Sequence, residues 1–485
     1  MTTLAAIVLA CLGAAGMSTD AWIQFSDTTG MALTDIIAKG LPVLCVETVG
    51  AEEPTCDYVS APAGCMGMAI TNATKVPGRL VIYRRVEGMD SVVYDSGEYD
   101  NNVSGMTIKI RGNTSAYSAK KPYKIKLQRK GDLLMRGDEK YKDKDWLLLK
   151  DPYLLTLAGF TVSRLLGMQW TPGHGYVNVV LNGEYRGVYL LCESVKRNPS
   201  CRLDVDKTSG YIFECDPYWW NEDVYVNSIT SPSYNFTFKY PDSDDLLPEQ
   251  QVYLQGVVSA YERSLTASNY PDLIDVQSWA RWCLGHDLCG TKDSGGANRY
   301  YSKYDSSDTS LVVMPVLWDF DMAERTTSAW SLCHTEHFSK LFNNANRCFV
   351  DEYVWQWRRI RDHLVADFTA SMSAFRQSKE GKALISCRDL ETKRWGSAQS
   401  VWSLVSTHIS WCTNRHTWLD SAINALNPVG DVNIDGKVQI QDLSLLIDNL
   451  LSGNGPLYHA TDVDGDGTTG IADVSALIDL LLTQS

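Results

Sequence analysis

The sequence predicts an α+β protein, strands first and helices later, closed by a small all-α module. Three observations carry that expectation. Between residues 79 and 214, five segments alternate or concentrate β-forming residues. Residues 351–425 carry patterns rich in Trp, Arg and Leu at helical spacing. The carboxyl-terminal stretch contains one twelve-residue acidic frame twice, 31 positions apart.

A chain of 485 residues is too long for one hydrophobic core, so two or more domains are expected. Hydrophobic content of 44% and charged content of 21% are ordinary for a folded protein and exclude wholesale disorder. A net charge of -14 excludes a nucleic-acid surface as the main role.

Taken in chain order, residues 1–19 open with the apolar run "MTTLAAIVLACLGAAG", which has signal-peptide length and is too short to span a bilayer. No Lys or Arg precedes Lys39, so the usual basic start is missing. Cys11 lies in this run and twelve cysteines follow it, an even number that fits disulfides in an exported chain. No CxxC occurs, which argues against metal binding by the cysteines. No other run reaches membrane-spanning length, so no transmembrane segment is expected in the mature chain. Residues 20–100 are expected to form a strand-rich region leading into a larger domain over 101–426.

The strand segments are "RLVIYRRV", "MTIKI", "YKIKL", "YVNVVLNGEYRGVYLL" and "GYIFE", with "NGEYRG" supplying a hairpin turn. In "RGNTSAYSAKKPYKIKL" (111–127) a Gly/Ser turn is flanked by Arg111, Lys120, Lys121, Lys124 and Lys126. Such a turn can lay cations along a polyphosphate, although a basic strand is also simply a solvated face. "DPYWWNEDVYV" (216–226) offers an aromatic platform for glycan stacking, whereas the other aromatics sit at core spacing. Glu214 and Asp216 would suit a glycosidase only at the right carboxyl separation. His174, His286, His334 and His337 show no zinc spacing and are read as ordinary core or surface residues.

The catalytic candidates follow. "KDSGGANRYYSKYD" sets Asp293 five residues before Asn298, and "VLWDFDMAE" (316–324) embeds Asp319 and Asp321 in an apolar stretch. That stretch is expected to be a buried strand with both carboxylates on one face, where unpaired charge is costly unless it holds something positive. Phosphoryl transfer needs this set: Asp293 accepts the hydroxyl proton, and Asn298 and Asp319 hold magnesium. Asp321 is a second ligand or orients the first.

The tail repeats are "DVNIDGKVQIQD" (431–442) and "DVDGDGTTGIAD" (462–473). Oxygen donors at positions 1, 3, 5 and 12 with Gly at 6 meet the requirements of a calcium loop. The first repeat supplies Asp431, Asn433, Asp435 and Asp442 with the Lys437 carbonyl, and the second Asp462, Asp464, Asp466 and Asp473 with the Thr468 carbonyl. Each runs into an amphipathic segment, "LSLLIDNLL" or "VSALIDLLL", so two calcium ions are expected to drive folding of residues 429–485.

On these frames the tail resembles a type I dockerin, which implies a cohesin-type scaffold partner. Its usual Ser-Thr recognition pairs are replaced by Ile440-Gln441 and Ile471-Ala472, a departure from the standard cohesin-binding pattern. "RGNTS", "KKPYKIKL", "LNGEYRGVYLLCE", "KDSGGANRYY", "LWDFDMA" and "WCTNRHTWLDSAI" make residues 40–425 resemble the CotH family of secreted kinases. The resemblance implies an atypical protein-kinase-like fold that uses ATP with magnesium or manganese to phosphorylate Ser or Thr on exported proteins. By position it makes Asp293 the base, Asn298 and Asp319 metal ligands, and Lys120 and Arg111 phosphate contacts, with Lys124 alongside and Glu193 at the nucleotide hinge. The neutral "PYLLTLAGF" after "DWLLLKD" departs from the family, whose members carry an Arg there. Residues 152–168 also lack an acid to pair with a phosphate-binding Lys, which implies low nucleotide affinity. Two functions follow, both secreted or cell-surface. One is a dockerin-tethered kinase; the other is a non-catalytic structural or glycan-associated component of a cellulosome-type assembly.

Overall fold

The computed structural model describes residues 30–231, 233–291, 298–331, 334–335, 338–453 and 458–483. The expected signal peptide, Asp293 and His337 lie outside the described residues. The chain divides into two compact units: the first holds residues up to 154 with 172–204 and 372–406, and the second holds 155–171, 205–371 and 407 onward.

The first unit contains β1 (Val43–Thr48), β2 (Asp57–Ser60), β3 (Met68–Thr71), β4 (Val76–Val86), β5 (Met89–Asp95), β6 (Met106–Ile110), β7 (Tyr123–Gly131), β8 (Asp143–Leu149), β9 (His174–Leu181) and β10 (Glu184–Glu193). The main sheet runs β1-β9-β10-β8-β7-β6-β4-β5, and β1 also pairs with β4, so the sheet closes into a ring. Every pairing in it is antiparallel except β1 with β9, where Leu44 faces Val179. Alternating apolar residues fill the ring, including Leu44, Ile82, Ile108, Ile125, Trp146, Val179 and Leu191. The expected hairpin is present, with Asn182 and Gly183 both at positive φ between β9 and β10.

The helices in chain order are α1 (Leu33–Ala38), α2 (Leu155–Leu165), α3 (Pro248–Ser264), α4 (Val276–Cys289), α5 (Ser339–Phe342), α6 (Cys348–Gln377), α7 (Lys379–Ser386), α8 (Arg388–Trp395), α9 (Val401–Leu426), α10 (Ile440–Ser452) and α11 (Ile471–Thr483). The second unit has its own sheet, ordered β12 (Tyr225–Val226), β13 (Asn235–Tyr240), β11 (Tyr211–Asp216), β14 (Arg299–Lys303) and β15 (Val312–Val313). An aromatic core joins it to the helices: Tyr301 stacks on Phe213 at 5.2 Å and lies 5.6 Å from Trp279 of α4. Strands and helices therefore interleave in this unit, because α3 and α4 come before β14 in the chain.

Residues 316–324 are not the strand the sequence predicts. The backbone leaves β15 at Val313 and runs on as irregular extended chain, and Asp319 takes φ +61°. Left-handed backbone breaks the two-residue alternation, so Asp319 is half-buried while Asp321 is exposed. Between them Phe320 is buried against α2, where a Cβ built on Gly159 would lie 2.3 Å from its ring. Gly159→Ala is expected to lower stability by about 1–3 kcal/mol through overpacking, and a urea midpoint equal to wild type would remove that reading.

Of the eleven cysteines among the described residues, Cys45, Cys56, Cys65, Cys192, Cys289, Cys348, Cys387 and Cys412 are free thiols, which departs from the disulfides an exported chain allows. Seven of the eleven, such as Cys45, Cys289 and Cys412, are buried.

Candidate functional site

In the second unit, Asn298 leads directly into β14, and β14 pairs antiparallel with β15. The register sets Ser302 opposite Val313, so the chain leaves β15 in the direction of the start of β14, which Asn298 opens. Tyr300 and Trp318 meet edge-on at 6.2 Å, which fixes that return path. Asn298 and Asp319 both hold φ +61°. A left-handed backbone at a non-glycine residue costs on the order of 1 kcal/mol and concentrates at functional sites.

The segment after Asp321 is clamped from below. Glu324 donates its N–H to the Cys289 carbonyl at 2.8 Å, and its carboxylate meets His408 Nδ1 at 2.6 Å. Arg415, fully buried on α9, donates to the carbonyls of Asp287, Thr327 and Ala329. The Asp287 carboxylate is fully buried and accepts from Ser331 N–H, Ser331 Oγ, Tyr353 Oη and, at 3.0 Å, His334 Nδ1. These contacts hold it below the usual carboxylate range, with the His334 charge the largest influence opposing burial. Cys283 Sγ comes near as well, but with both oxygens already engaged the cluster is a filled hydrogen-bond hub. Sequence reasoning missed this hub because Asp287 lies tens of residues from Ser331, His334 and Tyr353. His286 is also buried, stacked near Phe320 at 6.2 Å, and burial pulls its imidazole down to about 3.

The first unit holds Arg111, Lys120, Lys124 and Glu193. Arg111 is half-buried at the end of β6. Lys120 donates to Glu391 of α8 at 2.9 Å and to the Val188 carbonyl at 2.6 Å, and sits 4.8 Å from the Tyr189 ring. Burial pulls its ammonium below the usual lysine range, while Glu391 pushes the other way. Gly187, at φ +102°, makes room for this pair, since a Cβ there would lie 2.3 Å from Glu391. Lys124 pairs with Asp145 at 2.9 Å. Glu193, 1% exposed, accepts from Arg136 at 2.9 Å and from the Gly173 N–H at 2.8 Å. Three of the four residues read as nucleotide contacts are thus engaged in ion pairs of their own unit.

Glu214 and Asp216 share one face of β11 and are both buried. Glu214 pairs with Lys239 at 2.7 Å. Asp216 is pushed up to about 6, first by burial and then by the Glu214 charge. The folded state therefore holds that proton more tightly than the unfolded chain, and the stability present below about pH 4 is lost as pH rises through about 6. Asp216→Asn is expected to match wild type at pH 4 and to exceed it by about 2 kcal/mol at pH 7.5. Equal urea midpoints at the two pH values would refute this. Trp219 and Trp220 are half-buried, with Trp219 against Tyr225 at 4.6 Å, so the expected aromatic platform is partly closed.

In the tail, the two frames fold alike. Position 1 accepts the N–H of position 6 in each, Gly436 to Asp431 and Gly467 to Asp462, and position 5 accepts that of position 7, Lys437 to Asp435 and Thr468 to Asp466. Asp442 and Asp473 are buried and bind backbone N–H groups of their own loops. Carboxylate oxygens of Asp462, Asp464 and Asp473 lie within 4.8 Å of one another. Burial, with the charges of Asp442 and Asp435, lifts Asp431 above the usual range. A hard divalent cation relieves such crowding, so the donors fit calcium. The core beneath is small: Val432, Leu446, Val463, Val474 and Leu477. Outside it, Ile440, Leu451, Ile471 and Leu482 are exposed in repeat-related pairs.

Two family models match the chain: CotH kinase protein over residues 108–380 and dockerin type I domain over 429–482. No curated protein matches it. No helix among the described residues is long and apolar enough to cross a membrane.

Proposed function

Because the chain belongs to the CotH kinase protein family and ends in a type I dockerin, we propose that it is an exported kinase that transfers phosphate from ATP to Ser or Thr of extracellular or surface proteins. The observation that supports the reading is that Asn298 opens β14 and Asp319 follows β15, the antiparallel neighbour of β14, with both residues in left-handed backbone. Two hard oxygen donors suit magnesium or manganese, which would supply charge neutralisation on a polyphosphate when bound. Asp293, five residues before Asn298, is assigned to accept the acceptor's hydroxyl proton. Asp321 is exposed and is assigned no more than a supporting role. The dockerin implies a cohesin partner, and the exposed Ile440 and Ile471 in place of a hydroxyl pair favour a partner surface that is apolar at those points.

A second reading, a non-catalytic component of a cellulosome-type assembly, is favoured by one observation: Lys120, Lys124 and Glu193 are already paired. Incubation with γ-labelled ATP and magnesium or manganese separates the two. Label on the chain or on an added protein supports the kinase, and absence of both transfer and nucleotide binding leaves the structural component.

A further inference from the structure

The tail is not a bare appendage of the second unit. Its second repeat is preceded by a short 3₁₀ turn, His459–Thr461, that runs straight into Asp462, the first position of the calcium loop. A turn of this kind leaves its first N–H groups without partners inside the turn. Here they are taken by α6: Asp351, 5% exposed in the helix's first turn, accepts the N–H of His459 at 2.7 Å and of Ala460 at 2.9 Å. Glu352 meets His459 Nε2 at 3.0 Å, and the Trp355 ring stacks on the His459 ring at 4.1 Å and 12°. These three residues present one continuous edge of α6 to one turn.

Other contacts reach the first repeat. Arg347, just before α6, donates from Nε to the Ile434 carbonyl inside the first loop at 3.1 Å. Arg358 holds the Asn427 carbonyl at 2.8 Å, at the start of the connection to the tail, and lies close enough to Asp431 and Asp462 to feel both charges. The exposed stripe of Ile440, Leu451, Ile471 and Leu482 makes none of these contacts.

We propose that the calcium-binding tail is latched onto α6 through the His459–Thr461 turn, so that calcium occupancy of the second loop and the order of α6 are thermodynamically linked. A calcium ion held by Asp462 fixes the residue that ends the turn, and the turn fixes the N–H groups that Asp351 accepts. Linkage is reciprocal, so loosening α6 must weaken calcium binding by the factor with which calcium steadies α6. The consequence for a partner is geometric: a scaffold module captured on the outward stripe would hold the second unit at a set orientation.

This inference rests on the calcium reading of the loops and is independent of the kinase reading. Its test uses the full chain with calcium itself as the probe. Calorimetric titration and hydrogen exchange are run on wild type, Asp351→Ala and Trp355→Ala, the last removing the ring contact while leaving both N–H partners. The expected result is two calcium sites in wild type and about tenfold weaker binding at one of them in Asp351→Ala. A smaller loss in the same direction is expected for Trp355→Ala. Peptides covering 458–462 should exchange at least tenfold faster in Asp351→Ala with calcium present, and those covering 348–358 should exchange faster in wild type on chelation. Superimposable isotherms with unchanged exchange at 458–462 overturn the latch while leaving the calcium loops standing; no calcium uptake by wild type overturns both.

Discussion

Replacing Asp319 by Ala is expected to lower the proposed phosphate transfer from ATP by about a thousandfold or more, which corresponds to about 4 kcal/mol of lost transition-state stabilisation. The size of the effect follows from chemistry with little covalent work for the protein to do: positioning and charge neutralisation carry most of the rate. Asp321→Ala is the matched control, because that residue is exposed and it is its backbone carbonyl, kept in the variant, that accepts from Arg325. It should retain activity within about tenfold. Melting temperatures must be compared alongside, since Asp319 lies beside the buried Phe320 and Trp318. Equal loss in both variants, or an active Asp319→Ala protein, would sink the assignment of Asp319 as the metal ligand.

Chelating calcium is expected to remove the order of α10 and α11, two helices of 13 residues each. The apolar core beneath them contains five buried side chains, which is little to set against the entropy of ordering the module. Asp431, Asp442 and Asp473 are each at most 1% exposed. Backbone N–H partners alone leave carboxylates at that depth crowded and short of counter-charge, so the folded module is expected to depend on a cation. Hydrogen exchange in both helices should accelerate by at least a hundredfold on chelation, about 2.7 kcal/mol of local stability. Exchange insensitive to chelator would show that packing alone holds the module.

The strands and the tail were legible in the sequence for a simple physical reason: each is specified by a local period or frame. "MTIKI" became β6 and "YKIKL" opens β7 because alternation sorts the two faces of a strand within five residues. The acidic frames were legible for the same reason, since a calcium loop draws nearly all its donors from twelve consecutive positions. What escaped was pairing between remote segments. Nothing near Lys120 announces Glu391, 271 positions away, and nothing near Asp287 announces His334 or Tyr353. The "VLWDFDMAE" stretch misled in a different manner. Its apolar residues are buried as expected, but one left-handed residue, Asp319, cancels the alternation on which the shared-face expectation rested. The pair α3 and α4 also went unread, because their sequences mix aromatics, Gly and polar residues without a clean stripe.

The closure of the first unit's sheet has a consequence for how the chain is made. β1 sits between β4 and β9, so its second neighbour is still unsynthesised when the first has already formed. At ordinary ribosomal speeds of roughly 5–20 residues per second, Leu44 waits on the order of ten seconds for Val179. Through that interval the nascent β1–β4 pair exposes an unsatisfied hydrogen-bonding edge carrying Val43, Leu44, Cys45 and Val46, the kind of surface holdase chaperones protect and neighbouring copies can invade.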